Sequence, residues 1–207
     1  MCYLCLALAA SRFKWYFIPK QKLFSHILRN GVTALSTLIA YITKRGTTEY
    51  CAKQLAEKVE GPVELLDVRK NPVGADWSAY DTVILGVPIY GGDIEREFKQ
   101  FVRENWRFIL SKRCLGLYIC GLFDGEKGLA EIKKAYPEQL TKKALVADNF
   151  GGRVVQSELG FIERTAFRMV TKIKEDYSNL SEEKINAFAA RINEARTAPP
   201  QKASVSK

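Results

Sequence analysis

Residues 41–50 read YITKRGTTEY and follow the apolar residues TLIA at 37–40. The run 37–42 is apolar, as a parallel strand covered on both faces would be. From Thr48, TEYCAKQLAEKV puts Cys51, Ala52, Leu55, Ala56 and Val59 on one helical face, and Gly61-Pro62 stops that helix. The joint between strand and helix, TKRGTT at 43–48, has three threonines, two adjacent bases and a glycine, and no acid before Glu49. It is either an ordinary turn, with Thr47 or Thr48 capping the helix, or a pocket for an anion. In the second reading Gly46 allows a tight turn and a close approach of backbone to ligand. The free N–H groups of the first helical turn, with the helix dipole, then hold a phosphate. Thr43, Thr47 and Thr48 add hydroxyl donors, and Lys44 or Arg45 adds charge.

Other phosphate devices are excluded by composition. The joint has neither G-x-x-x-x-G-K-[ST] nor G-x-G-x-x-G. A phospho-acceptor receiver would place an acid at this sheet edge, and none is there.

Outward from this joint, strand-like runs alternate with helical patterns. VELLDV (63–68), TVILGV (82–87), CLGLYIC (114–120) and ALVADNF (144–150) read as further strands. IEREFKQFVRENWRFIL (94–110), a stretch around 126–136, residues 159–177 and SEEKINAFAARINEA (181–195) read as helices, with Ser181 as the N-cap of the last. Such alternation implies right-handed crossovers and a doubly wound parallel sheet, an α/β fold. Ligands of these sheets sit outside the carboxyl ends of the strands, where the strand order reverses. The loops after Ile42, Val87 and Cys120 are therefore the candidate site.

The second loop, LGVPIYGGD, leaves its strand through Pro88 and Ile89 and presents Tyr90 beside Gly91-Gly92. Tyr90 either packs on the following helix or stacks on a flat heterocycle at the sheet edge by burying apolar area. The third loop, CGLFDGEKG, runs through Cys120, Gly121, Leu122, Phe123 and Asp124. Phe123 offers a second ring contact, and Gly121 and Gly125 offer backbone N–H groups; a plain glycine-rich turn accounts for it equally well.

The formal net charge is +9, but its distribution decides what it means. Residues 1–36 carry Arg12, Lys14, Lys20, Lys22 and Arg29 without an acid, and residues 196–207 carry Arg196, Lys202 and Lys207 without one. That leaves 24 bases against all 23 acids in the middle of the chain. A nucleic-acid face needs bases clustered on the folded body, so no nucleic-acid partner is expected. Residues 1–36 read as an extension outside the fold: the apolar stretch MCYLCLALAA is about half the length of a bilayer span, and its bases follow rather than precede it. An amphipathic membrane contact there is the other reading. His26, the single histidine, lies in that segment, so the domain at 37–195 has no histidine for acid–base chemistry. Residues 196–207 have the composition of a disordered tail. Five cysteines without disulfide spacing suit the reducing cytoplasm, and the lone Cys2-x-x-Cys5 gives no metal site.

Taken together, the three loops resemble those of the flavodoxin family. That family's phosphate loop reads [ST]-x-x-G-x-T, matched by Thr43, Gly46 and Thr48, and its aromatic-glycine pair after the third strand is matched by Tyr90 and Gly91. The resemblance covers about residues 37–195. It implies a five-stranded parallel sheet in the order 2-1-3-4-5 with helices on both faces. It also implies FMN as cofactor, with phosphate on Thr43, Lys44, Arg45, Gly46, Thr47 and Thr48. The ring would lie between Pro88, Ile89, Tyr90, Gly91 and Gly92 on one side and Cys120, Gly121, Leu122, Phe123 and Asp124 on the other. Residues 150–192 are similar to the C-terminal part of menaquinone-dependent protoporphyrinogen oxidases. That likeness implies an oxidoreductase passing electrons from a small organic substrate to a quinone, at the membrane surface, or to a protein. The stretch between Cys120 and Ala144 is shorter and less basic than the corresponding oxidase insert, which counts against a porphyrinogen as the substrate but not against the flavin. The other classes open to the sequence are an electron carrier between partner proteins and a domain without flavin. No catalytic residue is assigned.

Overall fold

The computed structural model describes residues 36–71 and 76–198. The segment expected to be an extension therefore lies outside the described residues except for Ser36, and the tail lies outside them from 199 onward. Five parallel strands form the main sheet: β1 (Thr37–Tyr41), β2 (Val63–Asp67), β3 (Thr82–Pro88), β4 (Cys114–Cys120) and β5 (Val146–Asn149). Their order is β2-β1-β3-β4-β5, as expected, with the reversal at β1 and β3. Helices fill the crossovers: α1 (Thr47–Lys58), α2 (Arg96–Glu104), α3 (Trp106–Ser111), α4 (Gly125–Ala135) and α5 (Glu138–Lys143). After β5 come β6 (Arg153–Val154), α6 (Phe161–Thr171), β7 (Tyr177–Ser178) and α7 (Glu182–Thr197), with β6 and β7 paired antiparallel.

Both faces of the sheet are buried, which is why the strands read as continuous apolar runs rather than alternating ones. Leu38, Ala40, Leu85 and Leu117 meet Phe98, Phe101, Ile132 and Tyr136 on one face. Ile39, Ile84 and Tyr118 meet Leu55, Phe150, Phe188 and Ile192 on the other. Fully burying each such large side chain contributes about 1.5–3 kcal/mol. On the second face Tyr118 stacks on Phe150 at 4.8 Å between ring centroids, and Phe188 stands edge-on to Phe150 at 5.2 Å. Gly86 and Gly116 make room for these rings: a Cβ at Gly86 would lie 2.0 Å from Tyr118, and one at Gly116 2.8 Å from Phe188. The Tyr136 hydroxyl donates to the carbonyls of Leu85 (2.9 Å) and Tyr118 (2.7 Å).

Four elements differ from the sequence expectation. The helix expected over 94–110 breaks at Asn105, whose Nδ2 donates to the Phe101 carbonyl (2.9 Å) while its Oδ1 accepts from Trp77 Nε1 (2.8 Å). A side chain that bonds the backbone and a distant ring in this way ends one helix and starts the next. The helix expected over 159–177 covers only Phe161–Thr171, ending at Lys172 with φ of 63°. Helix α5 after Pro137 and the two-residue ladder β6–β7 are additional. Ser181 caps α7 as expected, accepting from the Lys184 N–H (3.2 Å). That helix runs two residues past 195 and buries Arg196.

Candidate functional site

The turn 42–47 places the start of α1 at the carboxyl edge of β1. Gly46 is the N-cap residue at φ 80°, the left-handed region where only glycine is unstrained. A Cβ there would meet no atom within 4 Å, so open space faces the turn. The Gly46 N–H donates to Thr43 Oγ1 (2.9 Å), which fixes the turn from inside. No side chain caps α1, so the N–H groups of its first turn lack the partner that Thr47 or Thr48 would provide in the ordinary-turn reading. Thr43 and Thr47 are half-buried, and Lys44 and Gly46 are exposed. Thr48 differs from them: it is fully buried, with its hydroxyl turned inward beside the Cys120 thiol. Its carbonyl accepts from the Tyr118 hydroxyl (3.1 Å), which ties the start of α1 to the middle of the sheet.

The second loop is a tight turn. Tyr90 and Asp93 exchange N–H to carbonyl hydrogen bonds of 3.0 and 3.1 Å, and Gly91 (φ 60°) and Gly92 (φ 76°) form its tip. Two positive φ values at adjacent central positions are why both are glycine. Pro88 is buried at the end of β3, and the Ile89 N–H donates to the Cys120 carbonyl (3.0 Å), joining the second loop to the third. The Lys134 ammonium on α4 donates to the Gly92 carbonyl. Tyr90 packs with the first loop: Arg45 Cζ is 5.4 Å and Lys44 Nζ 5.8 Å from its ring centroid. Burial raises the Tyr90 pKa above its ordinary value against the pull of Arg45.

Asn149, buried at the end of β5, organises the third loop. Its Oδ1 accepts from the N–H groups of Gly121 (3.0 Å) and Gly151 (3.0 Å), and its Nδ2 donates to the carbonyls of Gly121 (3.2 Å) and Phe123 (2.6 Å). Lys184 (3.0 Å) and Asn179 (3.2 Å) donate to Asp124, and Lys184 in particular holds that carboxyl below its usual range. Leu122 and Phe123 are half-buried, and Lys127 Nζ sits 5.4 Å from the Phe123 centroid. Cys120 lies 3.7 Å from Cys51, sulfur to sulfur; that contact and burial push the Cys120 thiol well up, so it stays protonated.

Three residues here carried no signal in the sequence reading. Asn149 is one. The second is Glu131 on α4, whose Oε2 is buried without a partner and would lie 2.6 Å from a Cβ at Gly121. Burial raises its carboxyl pKa, with Lys134 opposing. The third is Glu163, the third residue of α6. It accepts from the Gly160 N–H (3.1 Å), from Lys44 Nζ (3.2 Å) and from Arg45 Nη2 (2.8 Å). The Gly160 N–H first, then Lys44 and Arg45, hold its carboxyl at about 2.

The carboxyl edge thus carries an uncapped helix start, an open glycine and two cations: donors and charge suited to a phosphate monoester. Beside them stand an aromatic ring, a turn with two positive-φ glycines and a glycine-rich loop, as a flat heterocycle would require. A surface hollow of about 210 Å³ adjoins the third loop, lined by Asp124, Gly125, Asn149 and Lys184 among others, and one of about 940 Å³ lies between α2, α3 and Pro137. Among the described residues no helix is long and apolar enough to cross a membrane.

A family model described as the flavodoxin domain matches residues 38–181. No curated protein matches the chain. A solved short-chain flavodoxin associated with a bacterial microcompartment is similar at 19% identity and TM-score 0.50, over 77% of this chain and 97% of that one. Oxidised flavodoxin 1 from Bacillus cereus is similar at 14% identity and TM-score 0.49, over 77% and 97%. A flavodoxin from Fusobacterium nucleatum, solved with flavin mononucleotide, is similar at 13% identity and TM-score 0.43, over 77% and 93%.

Proposed function

The chain belongs to the flavodoxin domain family, and on that premise we propose that it is an FMN-binding redox protein whose first loop holds the flavin's phosphate. The observation that carries this reading is the uncapped start of α1 behind the open Gly46, with Lys44 and Arg45 beside it. Helix starts with free N–H groups bind anions. The backbone N–H groups of Thr47 and Glu49 and the hydroxyl of Thr47 would take the phosphate, with Lys44 and Arg45 supplying charge. Tyr90 and the 90–93 turn would bound the ring on one side and Phe123 on the other. When bound, the flavin supplies one- and two-electron transfer, and the protein's part is to position it and tune its potential. Gly91, free of side-chain contact, lets its peptide turn to offer either N–H or carbonyl to the ring.

The finer reading is an oxidoreductase that moves electrons from a small organic substrate to a quinone or protein acceptor. Its supports are the resemblance of residues 150–192 to the protoporphyrinogen oxidases and the exposed apolar side chains of Phe161, Ile162, Met169 and Val170 on α6, the helix whose Glu163 meets the first loop. The nearly neutral charge of the core points the same way, because it lacks the acidic face with which a carrier docks on basic partners. Chromatography of flavin released from purified protein, or recovered after reconstitution, tests the cofactor. FMN is expected, since one phosphate loop has no companion site for an adenosine; FAD, or no flavin after reconstitution with FMN, overturns the reading. Anaerobic reoxidation of the reduced protein by a soluble quinone then tests the acceptor.

A further inference from the structure

Helix α6 sits on an arm. Its base is the β6–β7 ladder, Arg153 to Ser178 and Val154 to Tyr177, reinforced by the Gln156 N–H donating to Asp176 (2.7 Å). No side chain of α6 is buried, and Phe161 and Ile162 are more than four-fifths exposed. A helix without a buried face has little apolar packing to hold it in place. Among the described residues, the hydrogen bonds from α6 to a segment distant in sequence are those that Glu163 accepts from Lys44 and Arg45, across 119 and 118 residues. These two cations belong to the loop that faces the phosphate. The Arg45 side chain is only 15% exposed, held between the Glu163 carboxylate and the Tyr90 ring.

We propose that Glu163 is an internal anion that competes with the ligand's phosphate for Lys44 and Arg45, so that filling the phosphate site releases α6 from the first loop. The proposal rests on the phosphate reading of that loop. The physical argument is charge balance. Lys44 and Arg45 together carry two positive charges, and a phosphate monoester near pH 7 brings about −1.5 to −2. A carboxylate already 2.8–3.2 Å from both cations would stand beside that phosphate and repel it. Protonation does not relieve the conflict, because the Gly160 N–H, which the phosphate does not claim, is the largest pull that keeps the carboxylate ionised. Glu163 therefore moves away, and α6 loses the bonds that tie it to the first loop, which leaves it free to move on its arm. Riboflavin has the same ring and no phosphate, so it binds without disturbing the latch. Glu163 thus makes phosphate a determinant of which ligand opens the arm.

The test uses the full chain and Glu163→Gln. The substitution keeps an oxygen for the Gly160 N–H, and its thermal melt checks the fold. FMN and riboflavin are titrated against both proteins by flavin fluorescence, and amide hydrogen exchange is followed over 161–171. Exposed ion pairs are worth about 0.2–1 kcal/mol each, so removing two competing ones should tighten FMN roughly 2- to 30-fold. Riboflavin affinity should not change. FMN should raise exchange over 161–171 in the unmodified protein; riboflavin should not. In Glu163→Gln that exchange should already be high without ligand. Equal or weaker FMN binding by Glu163→Gln, or α6 exchange unmoved by FMN, overturns the proposal. If neither flavin binds the unmodified protein, the cofactor reading fails separately, and inorganic phosphate at millimolar concentration decides the competition. Faster exchange over 161–171 with phosphate, seen in the unmodified protein and not in Glu163→Gln, supports the latch; no change overturns it.

Discussion

Replacing Gly46 by alanine separates backbone strain from ligand contact at the first loop. The residue sits at φ 80° and ψ −12°, and a Cβ built on it meets nothing within 4 Å. Packing therefore neither adds to nor offsets the change, and the cost is that of a left-handed L-residue, about 1–2 kcal/mol. Loss of glycine's freedom in the unfolded chain returns about 0.4–1 kcal/mol. The net destabilisation is between about 0 and 1.6 kcal/mol. For a domain of this size it lowers Tm by up to roughly 6 °C. Gly46→Asn should lose less, because asparagine tolerates this conformation. In the bound protein the added methyl group also enters the space in front of the helix start. FMN affinity should then fall while riboflavin affinity holds, and Gly46→Val should weaken FMN more than Thr47→Ala does. Losing the Thr47 hydroxyl costs about 0.5–1.5 kcal/mol, or up to ~3 if it bonds the charged phosphate. Thermal unfolding without ligand, with FMN and riboflavin titrations of the same proteins, measures each part. Equal losses for FMN and riboflavin, or Gly46→Ala melting above the unmodified protein, would refute the reasoning.

Two further outcomes are expected. Asn149→Ala removes four hydrogen bonds around the third loop and leaves buried backbone groups unpaired; it should lower stability by about 2–4 kcal/mol in urea unfolding, and a loss below 1 kcal/mol would mean that the loop holds itself. Glu131 has a carboxyl pKa raised by burial, so folding favours its protonated form and disfavours the ionised form once pH exceeds the unfolded value. Glu131→Gln should accordingly raise Tm at pH 7 and have a smaller effect near pH 4, whereas a pH-independent effect would place its role in packing.

The central sheet was legible because each buried strand leaves an uninterrupted apolar run. The first and second loops were legible because a left-handed turn demands glycine, as at Gly46, Gly91 and Gly92. What escaped the reading depends on contacts between distant residues. Asn105 breaks a helix that its neighbours would continue, because Trp77 lies 28 residues away and supplies the competing partner. Strands of two residues, as in β6 and β7, are too short to show a period. Glu163 looked like one more acid on an amphipathic helix; only the fold brings it to Lys44 and Arg45. Thr48 matched the phosphate pattern by type and spacing, yet its side chain turns into the core, which spacing alone does not reveal.

The two walls of the site differ in compliance. The third loop is clamped from behind by Asn149, and its Gly121 and Phe123 carbonyls are already engaged. The turn at 90–93 is pinned by its own pair of backbone bonds, by Lys134 on the Gly92 carbonyl and by Lys99 on the Asp93 carboxylate, while its tip is two glycines without side chains to hold. A ring whose hydrogen-bonding edge changes with oxidation state would find one wall stiff and the other able to follow it. Stiffening the soft wall, for instance with an L-residue at Gly91, should therefore shift the midpoint potential more than the same substitution at Gly125, which shares the φ of 60°.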